Sequence, residues 1–160
     1  IQLEYVNKID NNLAPINSVR NRKIKGDYFN TDFSYKPIPE IESGLEINFS
    51  RATDDYPLQL GQNFTQADIN QQILRFIYSF ATVGRLRIEF ERAEVSFNQT
   101  RLTFPYELTG GKVEGKNYFW RGYFDYSISK NIQASVNYDG RIEGGRKAIH
   151  TGRAQVTAFF

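Results

Sequence analysis

The chain of 160 residues carries 20 Lys and Arg against 18 Asp and Glu, with one His, no Cys and no Met. A single domain over 1–160 is expected, and disulfides, thiol catalysis and thiolate metal sites are excluded. A net charge of +2 supplies no broad basic field for a nucleic-acid partner, and a mean hydropathy of −0.53 with no apolar run near the ~20 residues of a spanning helix excludes a helical membrane protein.

Apolar residues recur at every second position along most of the chain, whereas helical spacing is absent. Ile1, Leu3 and Tyr5 open a strand over 1–9, Phe29, Phe33 and Tyr35 share a face over 26–36, and Leu45, Ile47 and Phe49 do so over 43–53. Leu74, Phe76, Tyr78 and Phe80 over 71–83, then Leu86, Ile88 and Phe90 over 85–98, read as a hairpin about Val83-Gly84. Arg75, Arg87, Glu89 and Glu91 fall on its opposite face. Beyond Arg92 the apolar phase moves to Ala93, Val95 and Phe97; one inserted residue exchanges the two faces of a strand, so a β-bulge is expected there. Tyr118, Trp120, Phe124, Tyr126 and Ile128 form a row over 117–129, with Arg121 and Asp125 behind it. Ile132, Ala134, Val136 and Tyr138 follow over 131–142, and Ala154, Val156, Ala158 and Phe160 close the chain over 149–160, opposite Arg153.

The lengths of these eight segments decide the class. Strands of soluble proteins average about 5–6 residues, while a tilted strand crossing a bilayer needs about 9–11. Connections alternate between long (10–25, 54–70, 99–116) and short (37–42, Gly84, Lys130), with an intermediate one at 143–148. This asymmetry is that of an up-and-down barrel with short periplasmic turns and longer outer loops. The expected fold is therefore all-β: an antiparallel up-and-down β-barrel of about eight long strands, of the membrane type. Its polar composition follows, because lipid-facing and lumen-facing residues alternate.

The C-terminal run Thr151-Gly152-Arg153-Ala154-Gln155-Val156-Thr157-Ala158-Phe159-Phe160 resembles the last strand of bacterial outer-membrane β-barrel proteins. The resemblance rests on Ala154, Val156, Ala158 and Phe160 at alternate positions, ending on an aromatic. It implies that these four residues form the signal engaged by the barrel-assembly machinery, and that the chain resides in the bacterial outer membrane among its lipids. The wider tail, Tyr138-Asp139-Gly140-Arg141 with Gly144-Gly145 and His150-Thr151-Gly152-Arg153, is similar to the ends of envelope proteins of Bacteroidetes-type bacteria, often much longer. That similarity, with Ile1 in place of an initiator Met, leaves two expectations: a processed small barrel, or the C-terminal part of a longer one.

An eight-stranded barrel is just wide enough for its interior to be filled by side chains. Arg75, Arg87, Glu89, Glu91, Arg121, Asp125 and Arg153 are the residues expected to fill it as a lumen ion network. Tyr56, Phe64, Phe104, Tyr106 and Leu108 fall in long connections and are expected to form a contact surface for an envelope partner. No catalytic, cofactor or metal site is expected. His150 has no nucleophile elbow to serve, the arginines account for Glu89 and Glu91 more simply than glycosidase chemistry does, and Asp54, Asp55 and Asp68 lack a calcium-loop pattern. The expected role is a non-catalytic anchor, adhesion surface or subunit of an envelope assembly. The alternative is a soluble all-β binding module, lipocalin-like or a sandwich, with its aromatic rows turned inward on an apolar or carbohydrate ligand.

Overall fold

The computed structural model describes residues 2–12, 22–55, 64–80, 83–98 and 106–159. Eight strands form one sheet: β1 (Gln2–Asn12), β2 (Arg22–Ile38), β3 (Ile41–Asp54), β4 (Thr65–Phe80), β5 (Gly84–Phe97), β6 (Gly115–Ser129), β7 (Ile132–Glu143) and β8 (Ile149–Ala158). Their order in the sheet is their order in the chain, and every neighbouring pair is antiparallel. The strands run from 10 to 17 residues, so the long alternating segments of the sequence become long strands. Two-residue turns join β2 to β3 and β6 to β7, while 98–114 is the longest connection. Gly144 and Gly145, with φ of 55° and 73°, supply the left-handed backbone that starts the β7–β8 connection at no steric cost.

Among the described residues β1 and β8 each pair on one side only, so the sheet is open and does not close into a barrel. Its pairing is strongly staggered. The register row that starts at Gln2 passes through Asp32, Glu46, Ile73, Glu91, Phe119 and Arg141 and ends at Ile149. The foot of β1 is thus level with the head of β8.

Three expectations need correction. No bulge follows Arg92, because β5 keeps continuous register with β4 and β6 through Ala93 and Val95. The apolar phase moves because the dry side of the sheet changes there: Ala93 and Val95 are buried on the face opposite Phe90. A second correction is a short helix, α1 (Tyr106–Thr109), in a connection where no helical spacing is visible. The third concerns Leu108, which is 2% exposed in a cluster with Ile24, Ala52 and Ala67 and packs near Phe97. It is a buried knob and presents no contact surface, because its segment folds back against β3 and β4.

Candidate functional site

Strand alternation sends successive side chains to opposite faces, and the register sorts them into two surfaces of different chemistry. The apolar face carries rows such as Phe33, Leu45, Leu74, Phe90, Trp120 and, beyond Gly140, His150. One row below lie Tyr35, Phe76, Ile88 and Tyr138, and below these Tyr78, Leu86, Phe124, Val136 and Ala154. Many of these side chains are bare: Leu74 is 54% exposed, Ile88 46% and Val136 45%. A continuous surface of this kind far exceeds the isolated apolar residues of an ordinary soluble surface.

The apolar surface is a band rather than a whole face. On β2 to β5 it stops where Asp27, Arg51, Asp68, Arg92 and Glu94 begin. Arg51 Nε donates to Asp68 Oδ1 at 2.7 Å, and Arg92 Nη2 donates to Glu94 Oε2 at 2.8 Å. On β1 the band takes in Leu3 and Tyr5, whereas on β8 it takes in Ala154, Val156 and Ala158. It therefore slants across the register rows by about ten residues, as tilted strands passing through a level slab would require.

Within the band, Trp120 lies across Gly140. A Cβ on that glycine would fall 2.1 Å from the indole, so only glycine leaves room for the ring. The indole also approaches His150, with ring centres 5.7 Å apart, and the Tyr138 hydroxyl sits 2.7 Å from His150 Nδ1. His150 is thereby engaged by Trp120 and Tyr138.

The charged face holds a ladder that crosses five strands. Arg75 on β4 pairs with Glu46 on β3, with Glu89 on β5 at 3.4 Å, and reaches Asp32 on β2 at 3.9 Å. Arg121 on β6 pairs with Glu89 and reaches Glu91 at 3.4 Å. Glu91 is 5% exposed and also accepts from Gln71 Nε2 at 2.6 Å. Arg75, Glu89, Glu91 and Arg121, four residues of the expected network, are thus joined. Arg87 stands on the same face over the Tyr123 ring, 4.6 Å from its centre. Asp125 and Arg153 share that face, opposite Arg85 on β5 and Asn137 on β7 respectively, away from the ladder. Asp32, Glu46 and Gln71 are members that sequence reading missed. For Glu46 the available signal was its place between Leu45 and Ile47, and for Asp32 its place beside Phe33; Gln71, between Asn70 and Gln72, carried none.

Where the apolar face turns polar, the charged face turns dry. Ile24, Ala52, Ala67, Ala93 and Val95 form a floor of buried residues beneath the segment 106–114. Leu108 enters it, and Lys112 Nζ lies 3.4 Å from Glu91 Oε1. At the far end Asn117, fully buried, donates its amide to the carbonyls of Val113 at 2.8 Å and Gly115 at 3.1 Å. Hydrophobic insertion, an ion pair and a side-chain clamp therefore hold the segment on the wall.

Of the other expected contact residues, Phe64 is 40% exposed at the start of β4, and the Tyr106 backbone lies in α1. Tyr56 and Phe104 lie outside the described residues. Of the expected assembly signal, Ala154, Val156 and Ala158 share the apolar face of β8, paired to Val136, Ala134 and Ile132; Phe160 lies outside the described residues. The three carboxylates set aside as a calcium site diverge. Asp54 is buried and accepts from the Lys23 amide at 3.1 Å, Asp55 pairs with Lys25 at 2.6 Å, and Asp68 faces the other way toward Arg51. No metal-binding cluster occurs among the described residues. No protein-family model, curated protein sequence or solved structure matches the chain.

Proposed function

We propose that this sheet is wall of a bacterial outer-membrane β-barrel, acting in the envelope as a non-catalytic anchor, adhesion surface or assembly subunit through its outer loops. The observation that carries this reading is the slanted apolar band: uncovered Phe, Tyr, Leu, Ile and Val side chains bounded by charge, with ion pairs on the opposite face. Hydrocarbon outside and a polar interior account for both surfaces at once. Lipid also forbids unpaired backbone at a sheet edge, so β1 and β8 acquire partners when the wall is complete. A soluble binding module would need the aromatic rows on its covered side, and here they are the bare side.

The only Trp makes a direct test, because Trp120 sits inside the band. With the protein folded into vesicles, phospholipids brominated along their acyl chains should quench Trp120 emission strongly, and a water-soluble quencher should not. Equal insensitivity to bromolipid in folded protein, together with a monomer soluble in plain buffer, would overturn the reading.

A further inference from the structure

We infer that the charged face lines a water-filled lumen wider than eight strands can enclose, narrowed on one side by the segment 106–114, and that it passes ions and small hydrophilic solutes. This rests on the membrane reading above and goes beyond it to an activity.

The first argument is space. Eight strands tilted by about 40° leave roughly 16 Å between opposing backbones, which wall side chains alone fill. Here the inner side also carries a folded segment with a helical turn, and a helix with its side chains is about 10–12 Å across. That segment sits over β2 to β5 and is pinned by Leu108, Lys112 and Asn117. Closing β1 against β8 would bring the far wall, with Arg141, Thr151 and Lys8 on its inner face, onto the same volume. One barrel architecture that does hold a central helix uses eleven strands.

The second argument is the small-residue floor. Ala52, Ala67 and Ala93 are 2%, 0% and 0% exposed. They are short where the ladder residues of the same strands are long, so the wall is cut back to seat the segment against it. An arm seated in its own wall leaves the centre open.

The third argument is the lining itself. Beyond the ladder, toward the short turns, the same face forms an open cavity of about 560 Å³ whose walls include Ser79, Arg85, Asp125, Gln133, Ser135 and Thr157. Hydroxyl, amide and charged groups of both signs favour water over a dry plug.

The test uses the full-length chain in planar bilayers. Discrete conductance steps are expected, and they should grow severalfold in Ala67→Phe, which fills the Leu108 socket and displaces the segment. Leu108→Ala is the second variant and should raise conductance less. The absence of cysteine from these 160 residues favours a complementary disulfide test. An eight-strand closure at 35–45° tilt needs a stagger of about eight or ten residues, which would set Val6 opposite Arg153 or Gln155. In folded monomers, Val6→Cys paired with Arg153→Cys or with Gln155→Cys should not form an internal disulfide. An internal disulfide at either pair, or absence of steps in wild type and both variants, would overturn the inference. Bromolipid quenching of Trp120 alongside those results would leave the membrane reading standing. Loss of quenching would instead remove the membrane reading itself.

Discussion

Arg121 shows how one side chain serves two partners. Its guanidinium engages Glu89 and Glu91 from the neighbouring strand, and the second carboxylate is almost wholly buried. Removing the cation leaves negative charge with fewer donors, a cost of about 1–3 kcal/mol at a partly exposed site. Arg121→Ala should therefore lower unfolding stability in detergent by that amount, and Arg121→Lys, which keeps the charge without the fork, should recover part of it. Urea titration followed by Trp120 fluorescence checks both. Gly140 presents the opposite case, a residue defined by what it lacks. In Gly140→Ala the new methyl meets the indole, so Trp120 must swing away from Tyr138 and His150. A cost of about 1–3 kcal/mol is expected, together with loss of the near-ultraviolet circular dichroism of the ordered indole. The pairing of Arg121 with Glu89 and Glu91 was legible in the sequence as part of one ion network, whereas the dependence of Trp120 on Gly140 was not. Trp120 and Gly140 are far apart along the chain, and only strand register puts them opposite each other.

At the scale of elements, β5 explains where sequence reading succeeded and where it failed. Leu86, Ile88 and Phe90 identified one face, and Arg87, Glu89 and Glu91 the other. The switch to Ala93, Val95 and Phe97 was visible as well, but alternation alone offers two causes for a change of phase. Either the register shifts, or the buried side does. A bulge is local and so suggests itself first; the actual cause is the segment 106–114, brought onto the strand from downstream, which no local pattern encodes. The eight strands themselves were legible because each carries three or more apolar residues on one face at period two. The starts of β2 and β4 were placed too late because there, too, the dry side is the reverse of the banded one. The segment's hold is testable through Leu108→Ala. Removing a leucine side chain buried against Ile24, Ala52 and Ala67 should cost about 2–4 kcal/mol. It should also make the chain near Gly110 and Gly111 cleavable by protease at concentrations that leave the strands intact. An unchanged digestion pattern would mean that Lys112 and Asn117 suffice to hold the segment.

For the whole molecule, the stagger links sequence pattern to orientation without reference to closure. From Tyr5 on β1 to Val156 on β8 the apolar band shifts by about ten residues along the strands, roughly 33 Å at ~3.3 Å per residue, while crossing seven strand spacings of ~4.8 Å. If the band is level in a bilayer, the strands must incline by about 40–45°, within the range of barrel walls. The sequence could supply the band but not its slope, since slope exists only once register relates one strand to the next. Polarised infrared spectroscopy of the protein in oriented bilayers measures this angle from the amide I dichroism. The expected mean strand tilt is about 40–45° from the membrane normal, because a steeper or shallower sheet would lift Leu3 and Tyr5 or Val156 and Ala158 out of the hydrocarbon and draw Arg51 and Asp68 into it. A soluble module adsorbed on the same surface would show no such preferred angle, so an isotropic amide I signal would count against the sheet standing in the membrane at all.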